Sequence, residues 1–303
     1  MALNELQGPP IAEAQETADQ APPRRERGGR PRRPIRNALM YVLLTVVGLL
    51  FVGPFLVMLS IAFKPAHQSI DSFPPDLIPR PPVLDYFVEA TTTIPFFTFT
   101  GNSVIYIVVI IPLYLLVSAM TAYPLARINF PGRGLFFMVF LSTMFLPGEL
   151  MLIPRFLVMS QLSLVDTYMA VILPAILSAL GIFMLRQTFA SMPEEIFEAA
   201  RVDGASEWGI FVRIAMPAAV PTLAVLTILG FINVWNSFVW PLVVLNDQSK
   251  FPLALGIAYL SGVSGQDVRG LAAGTVLSLI PVIVVFLALQ RHILGSMSGA
   301  LKG

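Results

Sequence analysis

The sequence contains no cysteine and only two histidines, His67 and His292, in 303 residues. Thiol nucleophiles, disulfides and zinc–thiolate clusters are thereby excluded, and Cys/His or Ser/His/Asp catalytic sets have almost nothing to be built from. Charge is scarce as well, with 12% of residues charged against 56% apolar. An ordinary soluble domain carries roughly a quarter charged residues, so water is not the main solvent of this chain. The G-x-x-x-x-G-K-[ST] phosphate loop is absent, and the three lysines, Lys64, Lys250 and Lys302, have no such glycine context. This chain alone therefore does not bind ATP in that way. The net charge of +1 hides an uneven distribution: seven arginines lie between Arg24 and Arg36, while long stretches further on carry no charge at all.

The charge-free stretches locate membrane spans, because crossing a hydrocarbon layer of about 30 Å takes about 20 mostly apolar residues. Six qualify: Ala38 to Phe63, Thr98 to Ala126, the run from Gly134 past Glu149, Thr167 to Leu185, Ile214 to Asn246, and Gly270 to Gln290. Continuous apolar character, rather than alternation, reads as helix and not as barrel strand. The expectation is an all-α membrane protein with six transmembrane helices near 38–63, 100–125, 134–154, 167–187, 218–243 and 270–290. The third is the weakest, with Glu149 close to one interface, and the fifth starts late because Pro217 and Pro221 open it.

Six crossings place both termini on one side. The tail, the 127–133 turn, the 186–213 loop and the C-terminus hold fourteen of the nineteen Lys and Arg residues, so the positive-inside rule makes both termini cytoplasmic. Residues 1–37, rich in Pro, Gln, Glu and Arg, read as a disordered cytoplasmic tail that orients the chain and meets anionic headgroups, with no nucleic-acid role. No cleaved signal peptide is expected. The spans hold no His and, apart from Glu149, no carboxylate. A proton-coupled carrier would keep an ionisable group at mid-membrane, so the energy for any transport must come from another subunit.

The 191–217 loop is specific. Ser191-Met192-Pro193-Glu194 has the form of a capping box with Ser191 as the cap, Gly204 can end the helix in the left-handed conformation, and Ser206 can cap a second short helix towards Met216. The product is a helix–glycine–helix elbow of the kind that docks into a partner's groove.

Glu198-Ala199-Ala200, Gly204, Ile214, Met216 and Pro217 resemble the EAA-x3-G-x9-I-x-L-P signature of bacterial ABC importer permeases, with Met216 in place of Leu. Arg186-Gln187, Asp203-Gly204-Ala205, Trp235-Asn236, Trp240-Pro241-Leu242 and the ending Gly299 to Gly303 look like the sugar-importer permeases of the maltose-transport MalG type. The likeness runs from about residue 40 to the end. Two departures are Ser237, where the family often has an acidic residue or its amide, and Pro124, which predicts a kink near the inner end of span two.

The resemblance implies the type I ABC importer permease fold in the bacterial cytoplasmic membrane and a non-catalytic transport subunit without cofactor or metal of its own. ATP and Mg would sit on two separate ABC ATPase subunits. The other implied partners are a second homologous permease subunit and an extracytoplasmic solute-binding protein. Glu198, Ala199, Ala200, Asp203, Gly204, Ile214 and Pro217 would then form the ATPase-coupling loop, and Lys302 and Gly303 a C-terminal ATPase contact. The bland reading of the loop is a capped amphipathic surface helix. Asn233, Asn236, Ser237 and Trp240 fall on one helical side and are candidates for the translocation path, against an interhelical amide bond and an interfacial Trp belt. Asn102 and Ser103 are open between capping and path. The implied substrate is a sugar or oligosaccharide, with glycerol-3-phosphate or another polyol as the alternative and a proton-coupled carrier as the rival class.

Overall fold

The computed structural model describes residues 34–263 and 268–300. Of the 1–37 tail only Pro34 to Asn37 lie within them, as the start of the first helix, and Lys302 and Gly303 lie outside the described residues. All regular elements among the described residues are helical. Four helical stretches are long and apolar enough to cross a membrane, Ala38–Phe63, Phe96–Arg127, Tyr168–Ser191 and Val268–Leu287, and two sharply bent helix pairs bring the number to six if each pair is one span.

The chain divides into two units, Met1–Pro54 and Phe55–Gly303. The first holds, among the described residues, the N-terminal part of α1 (Pro34–Phe63). In the second, the long α3 (Phe96–Arg127) is the hub, running unbroken through Pro112 and Pro124. Against it pack α7 (Ala179–Ser191), α10 (Val220–Trp235), α12 (Leu253–Val263) and α6 (Tyr168–Ala175). In lipid there is little hydrophobic drive between helices, so close backbone approach and polar bonds hold such a bundle. A Cβ on Gly181 of α7 would lie 2.6 Å from Ser118 Oγ and 2.8 Å from the Tyr114 ring, and one on Gly256 of α12 would lie 2.0 Å from the Phe99 ring. Only glycine fits at these crossings. The last helix, α13 (Val268–Ala300), packs on α2 (Asp85–Thr92) and α12, with Ala90, Ala272 and Ala273 buried.

Three stretches depart from the expected continuous helices. The third breaks into α4 (Arg133–Thr143) and α5 (Leu152–Gln161), joined through a 3₁₀ turn at Gly148–Met151 and bent by 101°. Pro147 accounts for this, since proline bars helical backbone from the residue before it and offers no donor. The fourth is interrupted between α6 and α7, where Ser178 takes an extended conformation and accepts from the Gly181 amide at 3.3 Å. The fifth stops at Trp235 and resumes as α11 (Val239–Val244). The proline-rich 64–97 segment carries α2 and a turn organised by Gln68, whose amide donates to Asp76 at 2.7 Å and accepts from the Arg80 amide at 2.9 Å.

Candidate functional site

The elbow is made by α8 (Glu194–Val202) and α9 (Glu207–Ile210), the latter continuing through a π turn, Phe211–Ala215, into Met216–Ala218. Its glycine behaves as the spacing requires. Gly204 has φ +79°, its amide donates to the Arg201 carbonyl at 3.0 Å, and the Ala205 amide donates to the Ala200 carbonyl at 3.0 Å. This is a Schellman pair, and it satisfies the last carbonyls of α8. Ser206 accepts from the Gly209 amide at 3.1 Å and so caps α9.

The start of α8 does not match the expected capping box. Ser191 ends α7, its hydroxyl donating to the Thr188 carbonyl at 2.8 Å, and α8 begins after Pro193 with no side-chain cap. Glu194 is drawn sideways, to Arg127 and, at 3.3 Å, to Arg201. A charge-assisted bond from a guanidinium outcompetes the neutral backbone N–H that a capping box would offer the same carboxylate.

Glu198, Ala199, Asp203, Gly204 and Pro217 are exposed, whereas Ala200 and Ile214 are half-buried. Glu198 has no hydrogen bond or ion pair to the described residues. One turn on from it Val202 is 87% exposed, and Trp208 of α9 is 60% exposed, while Phe197 of α8 is fully buried. The elbow thus exposes the carboxylates of Glu198 and Asp203, with the small Ala199 and the apolar Val202 and Trp208, and is held from behind by a buried ring.

The path candidates separate. Asn233, Ser237 and Trp240 line one cavity of about 360 Å³ with Tyr106, Tyr114 and Arg155, within the size range of small-molecule sites. Asn236 is exposed, does not line it, and bonds back to the Ile232 carbonyl at 2.9 Å. The four do not share one helix side, because the helix ends at Trp235. Trp240 is buried, not set in an interfacial belt, and its Nε1 donates to the Ala170 carbonyl at 2.9 Å. Asn102 and Ser103 are neither cap nor path. Asn102 donates to the Ser249 and Phe251 carbonyls at 2.7 and 3.0 Å, and Ser103 accepts from the Leu253 amide at 2.8 Å, so both pin the segment before α12 onto α3. No group of three or more His, Asp or Glu suited to a metal occurs among the described residues.

The family model for the inner membrane component of binding-protein-dependent transport systems matches residues 29–299. The chain belongs to that family. It is 36% identical over 276 residues to the arabinooligosaccharide transport permease AraQ of Halalkalibacterium halodurans, covering 89% of this chain and 98% of the relative. It is 34% identical over 265 residues to the diacetylchitobiose uptake permease NgcG of Streptomyces coelicolor, covering 86% of this chain and 87% of the relative. Among solved structures it is similar to a bacterial ABC transporter involved in importing the acidic polysaccharide alginate, with a TM-score of 0.73 and 25% identity over 87% of this chain and 98% of that one.

In this permease, what holds the elbow was not among the sequence candidates. Arg127, the last residue of α3, has a side chain only 6% exposed. Its guanidinium donates to the Phe189 carbonyl at 2.8 Å, to the Met192 carbonyl and to Glu194, and lies 4.1 Å over the Phe197 ring. Arg201 joins Glu194 to Glu207, at 2.8 Å to the latter, and Tyr123 of α3 donates to Glu207 at 3.0 Å. The bond that Arg201 donates to Glu207, followed by that to Glu194, raises the Arg201 pKa. One local signal existed: a cation in the last turn of a helix is placed to meet free carbonyls. Its acceptors, more than sixty residues away, carried none.

A second cluster joins two loops. Asp166, at φ +62°, accepts from the amides of Asn246 and Asp247 at 3.0 and 2.9 Å, and Lys250 bonds Asp247 at 2.6 Å. Lys250 brings the Asp247 pKa down to about 2, and the two amides lower that of Asp166.

Proposed function

We propose that this chain is one of two membrane subunits of a bacterial ATP-driven importer for an oligosaccharide, and that it takes up force from ATPase subunits through the 191–217 elbow. What carries the reading is the elbow: the EAA spacing folds into two short helices about Gly204, with Glu198, Ala199 and Val202 outward and Phe197 clamped behind. The strip suits a groove on another protein, Glu198 offering a charge-assisted bond and Ala199 a close approach. The substrate class rests on the oligosaccharide names of relatives matched over nearly nine tenths of the chain, which favour a saccharide over glycerol phosphate.

In this reading both termini and the elbow are cytoplasmic, as the distribution of Lys and Arg supports. ATP and Mg bind the ATPase pair, a second permease completes the path, and an extracytoplasmic binding protein delivers the sugar. Closure of the ATPase pair moves the elbows, and the bundle alternates between inward-open and outward-open states of different substrate affinity.

Because the chain has no native cysteine, single cysteines report cleanly. Ala199→Cys in the assembled transporter is expected to cross-link to the ATPase subunit, with a yield that changes with nucleotide. Reaction with an impermeant reagent from outside the cell, or no ATPase adduct at any nucleotide state, overturns the proposal.

A further inference from the structure

The cavity beside α10 and α11 contains a cation that a neutral solute does not need. Arg155 of α5 lines it, with no carboxylate among the lining residues. The guanidinium makes no hydrogen bond or ion pair with the described residues, and it meets the Trp240 ring at 5.2 Å from the centroid. That ring is itself fixed, since Trp240 donates to the Ala170 carbonyl. The stack holds the arginine head on one face and leaves its donors without acceptors among the described residues. Around it stand groups able to take part in sugar recognition: the Asn233 amide, which spends its Nδ2 on the Leu229 carbonyl and keeps its oxygen, the Ser237 hydroxyl, and the Tyr114 hydroxyl. A half-buried guanidinium with a planar fork and no acceptor among the described residues is complementary to a carboxylate, which it can meet with two parallel bonds.

Resting on the importer reading above, we infer that this cavity accepts a saccharide bearing an acidic group, whose carboxylate pairs with Arg155 while ring hydroxyls meet Asn233 and Ser237. α5 follows the 101° bend after α4, and its Arg155 lines the cavity.

The test uses the assembled transporter and paired probes that differ only in charge: tri- and tetrauronates of several linkages and the methyl esters of the same oligomers. Binding is read directly by calorimetry. Each acid is expected to bind about tenfold or more tighter than its own ester, a gap of the size that a charge-assisted bond produces. Arg155→Gln should erase the gap, and Arg155→Lys, which keeps the charge but not the fork, should retain part of it. Should Arg155→Gln fail to assemble, the acid-to-ester ratio in the wild type and its decrease in Arg155→Lys still decide. Equal binding of acids and esters, a preference that survives Arg155→Gln, or binding of neutral oligosaccharides alone overturns the inference. The ATPase cross-link at Ala199→Cys is independent of all these outcomes, so the importer reading stands or falls separately.

Discussion

Replacing Arg127 by Met keeps the length and apolar stem of the side chain and removes its five donors. Two backbone carbonyls at and beyond the end of α7, Phe189 and Met192, lose a charged donor, and Phe197 loses the cation over its ring at 4.1 Å. Hydrogen bonds to charged groups contribute about 1.5–3 kcal/mol each and a cation–π contact about 0.5–2. The bond to Glu194 adds little, because that carboxylate is 51% exposed and a solvated pair is worth about 0–1 kcal/mol. Water can reach part of the vacated site, so the sum is too large, and about 2–4 kcal/mol is the expected local loss. At about 1.4 kcal/mol per factor of ten, amide exchange across Glu198 to Val202 should accelerate roughly 30- to 1,000-fold in Arg127→Met. Glu194→Gln, which touches only the pairs of this exposed carboxylate with Arg127 and Arg201, should change it by less than about fivefold. Hydrogen–deuterium exchange on the purified transporter measures both. If the two variants give the same small acceleration, Arg127 is not what holds the elbow.

Trp240→Phe keeps the ring and strips the Ala170 carbonyl of its donor, so the thermal midpoint of the purified protein should fall by the equivalent of about 1–3 kcal/mol; an unchanged midpoint refutes the role. Gly204 has φ +79° and open space where a side chain would begin, with no neighbouring atom within 4 Å, so Gly204→Ala should lose about 1–2 kcal/mol through backbone strain alone and Gly204→Asn distinctly less. Equal losses in exchange protection of α8 would point to a clash instead. Asp247, held at about 2 by Lys250, contributes stability that is in place above the ordinary carboxylate range and disappears as pH falls through about 2. In Lys250→Gln its titration, followed by carboxyl NMR, should move up towards the ordinary value, and no movement would assign the shift elsewhere.

The long apolar helices were readable because composition alone forces them: a charge-free run of about twenty or more residues has little choice in lipid. Gly204 and Ser206 were readable too, since left-handed backbone and a cap each demand a narrow residue set. Ser191 misled because a capping box is a local pattern, and the carboxylate of Glu194 was claimed by Arg127 from another helix. Asn102 and Trp240 likewise spend their polar atoms on carbonyls distant in the chain, Asn102 on Phe251 and Trp240 on Ala170. Hydropathy could not register the 101° bend after α4, which decides where Arg155 ends up. Local rules caught what is settled within one turn and missed what is settled between helices.

One helix is fastened at both ends. At its start α3 grips the 249–253 strap through Asn102, Ser103 and Tyr106, and at its finish Tyr123 and Arg127 grip the elbow. With 32 residues it spans about 48 Å, which makes it a pushrod. In the importer proposed above, a twist delivered to the elbow would travel along this helix to the loop that Asp166 and Lys250 lock.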